Sequence, residues 1–282
     1  MMGRFGRAGS LLLRHPKGGL GLLIVLLVVL MAALAPLLYP DGPWRIAGSP
    51  FMWPGADPAF PLGTDSMGRD VAAGLCYGAQ VSLLTSLAAA AVSLVLGTVI
   101  GALAGFYGGW LDVVLMRLTD AVQTMPGFLF AVVLVGLFGS SLTTIVAAIA
   151  LPAWPTIARL VRAEFLRLRS ADFVHAARIL GMSNLRLIAT QILPNCLTPI
   201  IVSTSVLVAS AIIVEAGLSF LGLGDSNLMS WGNMIGAGRS SLRTAWYLVA
   251  LPGGMVVLTV LGLNIFGDSL NDMLNPRLRA RR

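Results

Sequence analysis

Six stretches of the chain read as membrane-crossing helices, each close to the roughly 20 apolar residues that span a bilayer core. Leu20–Tyr39 carries no charge, and Val81–Phe106 lies inside a tract from Val71 to Leu111 that has none. Val113–Phe138 has Arg117 and Asp120 near its start, and Gly139-Ser140-Ser141 turns the chain after it. Leu142–Ala158 is shorter and reads as broken by Pro152 and Pro155. Leu197–Leu221 carries only Glu215, and Ala245–Gly267 is again uncharged. The expected fold is all-α, an integral membrane protein with six transmembrane helices. Two polar connections stand out: Pro40–Gly78, rich in Pro, Gly and Asp, and Arg159–Asn195, which holds six of the 19 basic residues.

Basic residues choose the sides. With the N-terminus inside, 15 of 19 fall inside, and only Arg45, Arg69, Arg239 and Arg243 fall outside. Both termini are therefore expected in the cytoplasm, with Cys76 outside and Cys196 inside. The first span resembles a signal peptide in its basic front and its Ala33-Leu34-Ala35 triplet. Its apolar run is too long for one, and Pro36 occupies the would-be cleavage bond, so an uncleaved anchor is expected.

Composition agrees. Apolar residues make up 57% of the 282 residues and charged residues 11%, against about 25% charged in soluble domains. The net charge of +7 then concerns topology and lipid headgroups rather than nucleic acid. Lys17, the one lysine, follows Pro16, so no phosphate loop ending in Gly-Lys exists. Two distant cysteines and the isolated His15 and His175 offer no metal-ligand spacing, and no metal or cofactor is expected in this chain.

The inner connection carries the most specific pattern. Ser170–Gly181 reads as a short amphipathic helix with Ser170 as N-cap, Asp172 in the first turn and Gly181 as the stop. A second helix, Leu185–Leu193, is expected after Ser183-Asn184, with Pro194 closing it. On pattern alone this hairpin reads first as an interfacial element held by headgroups.

Its spacing resembles the EAA–x3–G–x9–I–x–LP loop of ABC importer permeases. Ala176, Ala177, Gly181, Leu193 and Pro194 match; His175 stands in the Glu slot and Gln191 in the Ile slot. The likeness is to dipeptide/oligopeptide permeases and runs nearly end to end. It includes Leu62-Gly63-Thr64-Asp65-Ser66-Met67-Gly68-Arg69-Asp70, Glu215–Gly224, Ser230-Trp231-Gly232, Asn264–Asp268 and Asn275-Pro276-Arg277. The resemblance implies a type I importer permease whose cytoplasmic coupling hairpin (Asp172, His175, Ala176, Ala177, Gly181, Leu193, Pro194) docks on an ATPase. It implies a second permease, two ATP-binding subunits that hold ATP and Mg, and an extracytoplasmic peptide-binding protein. The chain itself would be no enzyme. It would sit in the cell membrane and import dipeptides or oligopeptides by alternating access; nickel chelates and glutathione are the alternative cargoes.

The outer candidates for gate or substrate path are Glu215, Trp231, Asp65, Arg69 and Asp70. Glu215, an acid at membrane depth, should face protein or water. Asp65, Arg69 and Asp70 sit among turn-forming glycines and are expected to hold a turn first. Gly97, Gly101 and Gly105, four apart, are expected to pack a helix closely, and Arg117 with Asp120 to pair on one face. The expected organisation is an anchor over 1–40, an outer loop over 41–78, a permease core over 79–268 with its coupling loop at 165–195, and a tail over 269–282. A secondary transporter lacks visible inverted repeats. An intramembrane aspartyl protease built on Gly222-Leu223-Gly224-Asp225 lacks a second acid nearby, since Asp120 falls at the other face.

Overall fold

A backbone in hydrocarbon must satisfy its own polar groups, and the apolar runs do so as helices. The computed structural model describes residues 16–274. In chain order the helices are α1 (Pro16–Leu38), α2 (Val71–Tyr107), α3 (Gly109–Gln123), α4 (Gly127–Phe138) and α5 (Leu142–Arg169). They continue as α6 (Asp172–Ile179), α7 (Asn184–Leu187), α8 (Leu193–Phe220), α9 (Trp231–Gly238) and α10 (Tyr247–Leu274). A π turn, Ile188–Ile192, joins α7 to α8. Among the described residues the only β pairing is two isolated bridges, Ile46 with Arg69 and Thr64 with Asp70. The basic N-terminal residues Arg4, Arg7 and Arg14 and the Asn275-Pro276-Arg277 signature lie outside the described residues.

Several boundaries differ from the sequence expectation, each for a local reason. The second span starts at Val71, ten residues early, because Asp70 caps it by accepting the Ala72 N–H at 2.8 Å. Residues 71–78, expected in the outer loop, are therefore helical. The third span is two helices bent by 79° at Thr124-Met125-Pro126, where proline cannot donate to the ladder. Pro152 and Pro155 do not break the fourth span: α5 runs on to Arg169 as one helix, so residues 159–169 of the expected inner loop are part of it. Pro194 does not close a helix either. It sits in the first turn of α8, where its missing N–H is least costly, and the wide π turn carries the chain into it. The expected tail likewise begins inside α10, which runs to Leu274.

The bent α3–α4 pair is a crossing, as register shows. Ser93 of α2 donates to Ala150 O at 3.2 Å. A methyl group on Gly97 would lie 2.6 Å from Ile157 Cβ, and one on Gly105 2.6 Å from Phe165 Cβ. Partner numbers rise together, so α2 and α5 are parallel. The chain must therefore return the full thickness between Tyr107 and Leu142, and α3–α4 is what returns it. The α1–α10 pair is antiparallel: Gly21 meets Gly262 and Phe266, and Gly262 meets Ile24. Six crossings thus bring Pro16 and Leu274 to one end. The glycine stripe packs as expected, backbone against backbone.

The helix break at Pro36 is repaired from a neighbour. Pro36 cannot donate to Ala32 O, and the Gln80 amide of α2 takes that carbonyl at 2.7 Å. At the end bearing α6, the inner end by the sequence expectation, one core joins Phe106 of α2, Val161 and Phe165 of α5, Val174 and Ala177 of α6, Leu187, Ile192 of the π turn and Cys196 of α8. At the outer end, residues 40–70 fold into a cap pinned by Tyr247, whose hydroxyl lies 2.8 Å from both Met52 O and Thr64 O. Both cysteines are buried, Cys76 in α2 and Cys196 in α8, so neither reports topology to an aqueous thiol reagent.

Candidate functional site: a two-faced inner helix and an outer cavity

Helix α6 is short, and its ends are made locally. Its N-cap is Ala171 rather than Ser170, which instead ends α5. Asp172 still sits in the first turn, where a negative charge suits the helix dipole. At the other end Gly181 adopts φ +80°. The Gly181 N–H donates to Arg178 O at 3.0 Å and the Met182 N–H to Ala177 O at 3.1 Å. That pair of bonds is the Schellman closure, which requires the left-handed residue that glycine supplies.

The helix has two apolar faces. Val174 (0% exposed) and Ala177 (9%) point into the inner core among α2, α5 and α8. Phe173, Ala176, Ile179 and Leu180 point away from it. Ile179 and Leu180 are each 86% exposed, and Leu185 beyond the turn is 77% exposed. Of the two alanines that the sequence places in the ATPase-docking set, only Ala176 faces out, because Ala177 is three residues from Val174 and shares its inward stripe. His175 and Asp172 are exposed. Leu193 packs against the inner core, and Pro194 is half-buried in the turn above it. Phe173, Ile179, Leu180 and Leu185 were not singled out from sequence. Their signal was the spacing 173, 176, 180, one position out of phase with 174, 177, 181.

The same end carries an electrostatic brace. Arg162 of α5 grips Asp112 of α3 with two bonds, Nη2 to Oδ2 at 2.7 Å being one. Arg169 donates to Gly105 O and Phe106 O, each at 3.3 Å. Asp120 pairs with Arg159 at 3.6 Å, not with Arg117 as the i, i+3 spacing suggested, since α5 lies alongside and offers the nearer cation. Eight basic residues of the described chain lie toward this end and four toward the other.

At the outer end Glu215 is 3% exposed. Ser82 donates to its Oε2 at 3.1 Å and Ser219 to its Oε1 at 2.8 Å. Trp231 is fully buried; its backbone N–H donates to Ser82 Oγ at 3.3 Å and its indole N–H to Leu75 O at 3.0 Å. Glu215 and Trp231 thus fasten α2, α8 and α9 together and do not line an open path. Asp225 accepts from the Asn227 N–H in its own turn, at the end opposite Asp120.

Asp65, Arg69 and Asp70 do form the expected turn: Asp65 Oδ1 accepts the N–H groups of Met67 at 2.8 Å and Arg69 at 2.9 Å, with Gly63 and Gly68 at positive φ. They also line a cavity of about 320 Å³ between the cap and α9, opposite Asn233, Met234 and Arg239. Partial burial holds the Asp70 carboxyl above the usual carboxylate range, against the opposing pull of the Ala72 and Ala73 amides.

Residues 97–280 match the family described as binding-protein-dependent transport system inner membrane component. The chain is 39% identical over 272 residues to the di/tripeptide transport system permease protein of Pseudomonas aeruginosa, covering 94% of this chain and 90% of that protein. It is 36% identical over 264 residues to the oligopeptide transport system permease protein of Bacillus subtilis, covering 92% and 85%. Its fold is similar to the crystal structure of an amino acid ABC transporter with histidines, with TM-score 0.52, 15% identity, and coverage of 68% of this chain and 90% of that one. The chain belongs to the binding-protein-dependent transport system inner membrane component family and is a multi-pass, all-α ABC permease of the type I importer fold.

Proposed function

From that membership, we propose that this chain forms, with a second permease, the membrane pathway of an importer for dipeptides and oligopeptides. The end bearing α6 faces the cytoplasm, which places both termini inside and the cap outside. That orientation puts eight of the 12 described basic residues inside. Separate subunits hold ATP and Mg, and an extracytoplasmic binding protein delivers the peptide. The names of the relatives support the cargo.

The observation that carries the reading is the double face of α6. Ile179 and Leu180 are left uncovered by the rest of the chain, although burial of such a side chain is worth about 1.5–3 kcal/mol; a protein partner that covers them recovers this. The inward pair, Val174 and Ala177, is interlocked with Phe106, Phe165 and Ile192. Close-packed interiors transmit displacement rather than absorb it. A push on the outer face therefore moves α2, α5 and the root of α8. The nucleotide state drives transport only through its differential affinity for the two arrangements.

The test is uptake of dialanine by proteoliposomes containing the two permeases and the ATPases, with binding protein outside. Uptake should require ATP, and this chain alone should show none. Dialanine uptake by the chain alone would replace the importer reading with a self-contained transporter.

A further inference from the structure

The outer cavity holds charges that the fold does not use. Arg69 stacks its guanidinium 4.8 Å over the Trp44 ring, yet its Nε is buried with no hydrogen-bond partner, and Nη2 meets only Met67 Sδ. Arg239 lines the opposite wall. Among the described residues neither guanidinium has a carboxylate within 4.0 Å. The two acids of the cavity are engaged by backbone amides: Asp65 Oδ1 by the turn and Asp70 Oδ1 by the start of α2. The second oxygen of Asp65 carries no bond of the fold, and Asp70 accepts only from the Ala72 and Ala73 amides that start α2. Cations and anions thus share one concave space of about 320 Å³, within the range of pockets that hold small molecules. Trp44, Phe220, Met229 and Met234 supply apolar wall between them.

An anion alone would meet two acids, and a cation alone two guanidinium groups. A ligand carrying both charges satisfies both the acids and the guanidinium groups. We propose that the cavity between the outer cap and α9 is a binding site for a small zwitterion, its carboxylate against Arg69 and Arg239 and its ammonium against Asp65 and Asp70. Recognition follows from charge-assisted hydrogen bonds, stronger than neutral ones and strongest where a guanidinium meets a carboxylate. The choice of a short peptide as the zwitterion rests on the importer reading. The cavity is then a receiving site on the outer face, bordered by Ser219 of the Glu215 knot.

The test is titration of the permease complex in lipid nanodiscs, without binding protein, using dialanine, N-acetyl-dialanine and dialanine amide. Dialanine should bind, and each blocked analogue should bind at least about tenfold more weakly, as expected for loss of a charged hydrogen-bonded partner. Arg239→Gln should weaken dialanine by a similar factor and leave the amide unchanged, a split that general damage to the fold does not give. Arg69→Gln should do the same, with a thermal melt of each variant run beside it. Equal binding of the three compounds, no binding of dialanine, or parental binding by both variants overturns the site. ATP-driven uptake by the parent complex is read separately. Its absence removes the importer reading, whereas uptake without dialanine binding removes only this site.

Discussion

Ala176 and Ala177 are neighbours in the chain and face opposite ways: Ala177 lies in the inner core beside Val174, and Ala176 lies on the exposed face with Phe173 and Leu180. Equal substitutions at the two positions should therefore fail differently. Ala177→Trp overpacks a filled core, at a cost of about 1–3 kcal/mol, and should lower the melting temperature of the purified permease. Ala176→Trp should leave the melt unchanged and reduce co-purification of the ATPase. His175→Glu, on an exposed position, should change neither. A melt and a pull-down on the three variants check this.

At Gly181 the limit is conformation rather than space. Nothing lies within 4 Å of a Cβ built there, but φ is +80°. Gly181→Val should cost about 1–2 kcal/mol and loosen the α6–α7 turn, whereas Gly181→Asn, which tolerates that region, should cost less. Substrate-stimulated ATP hydrolysis in the reconstituted complex should fall with Val and persist with Asn.

Glu215 accepts from Ser82 and Ser219 in a site closed to solvent. Glu215→Gln keeps the shape and one acceptor and should retain assembly and uptake. Glu215→Leu leaves buried hydroxyls without their partner, at about 1–3 kcal/mol, and should detach the end of α8 from α2. Limited proteolysis at 221–230 measures the detachment. Normal protection with Leu would show that the knot is held without the acid.

Arg162 and Asp112 tie α5 to α3 across the inner end. Asp112→Asn should lose about 1–3 kcal/mol and Arg162→Met a similar amount, with the double variant less costly than the sum. A double-mutant cycle on thermal stability measures that coupling.

Hydropathy alone located all six crossings, because each is a local run. Two boundaries were also written locally but in weaker signals: Asp70 as the cap that starts α2, and Pro126 as the bend in the third crossing. What no single sequence shows is which helix lies alongside. The Arg162–Asp112 pair joins residues 50 apart, and Asp120 took Arg159 rather than its own-helix neighbour. The two faces of α6 were ambiguous for the same reason. Both stripes are apolar, and only the presence of Phe106 and Phe165 on one side decides which is inward. The outer cavity forms from the cap and α9, more than 150 residues apart in the chain, so its mixed charge was visible only as separate turn residues.

The proposed importer depends on an ATPase pushing against the outward face of α6. Leu180→Asp tests it most directly, since Leu180 is 86% exposed and lies outside the inner core. In the reconstituted complex the permease melt should be unchanged, with ATPase co-purification and substrate-stimulated hydrolysis both reduced at least about tenfold, the loss expected when a charge is buried in an apolar contact. Parental binding and parental stimulated hydrolysis by Leu180→Asp would contradict it.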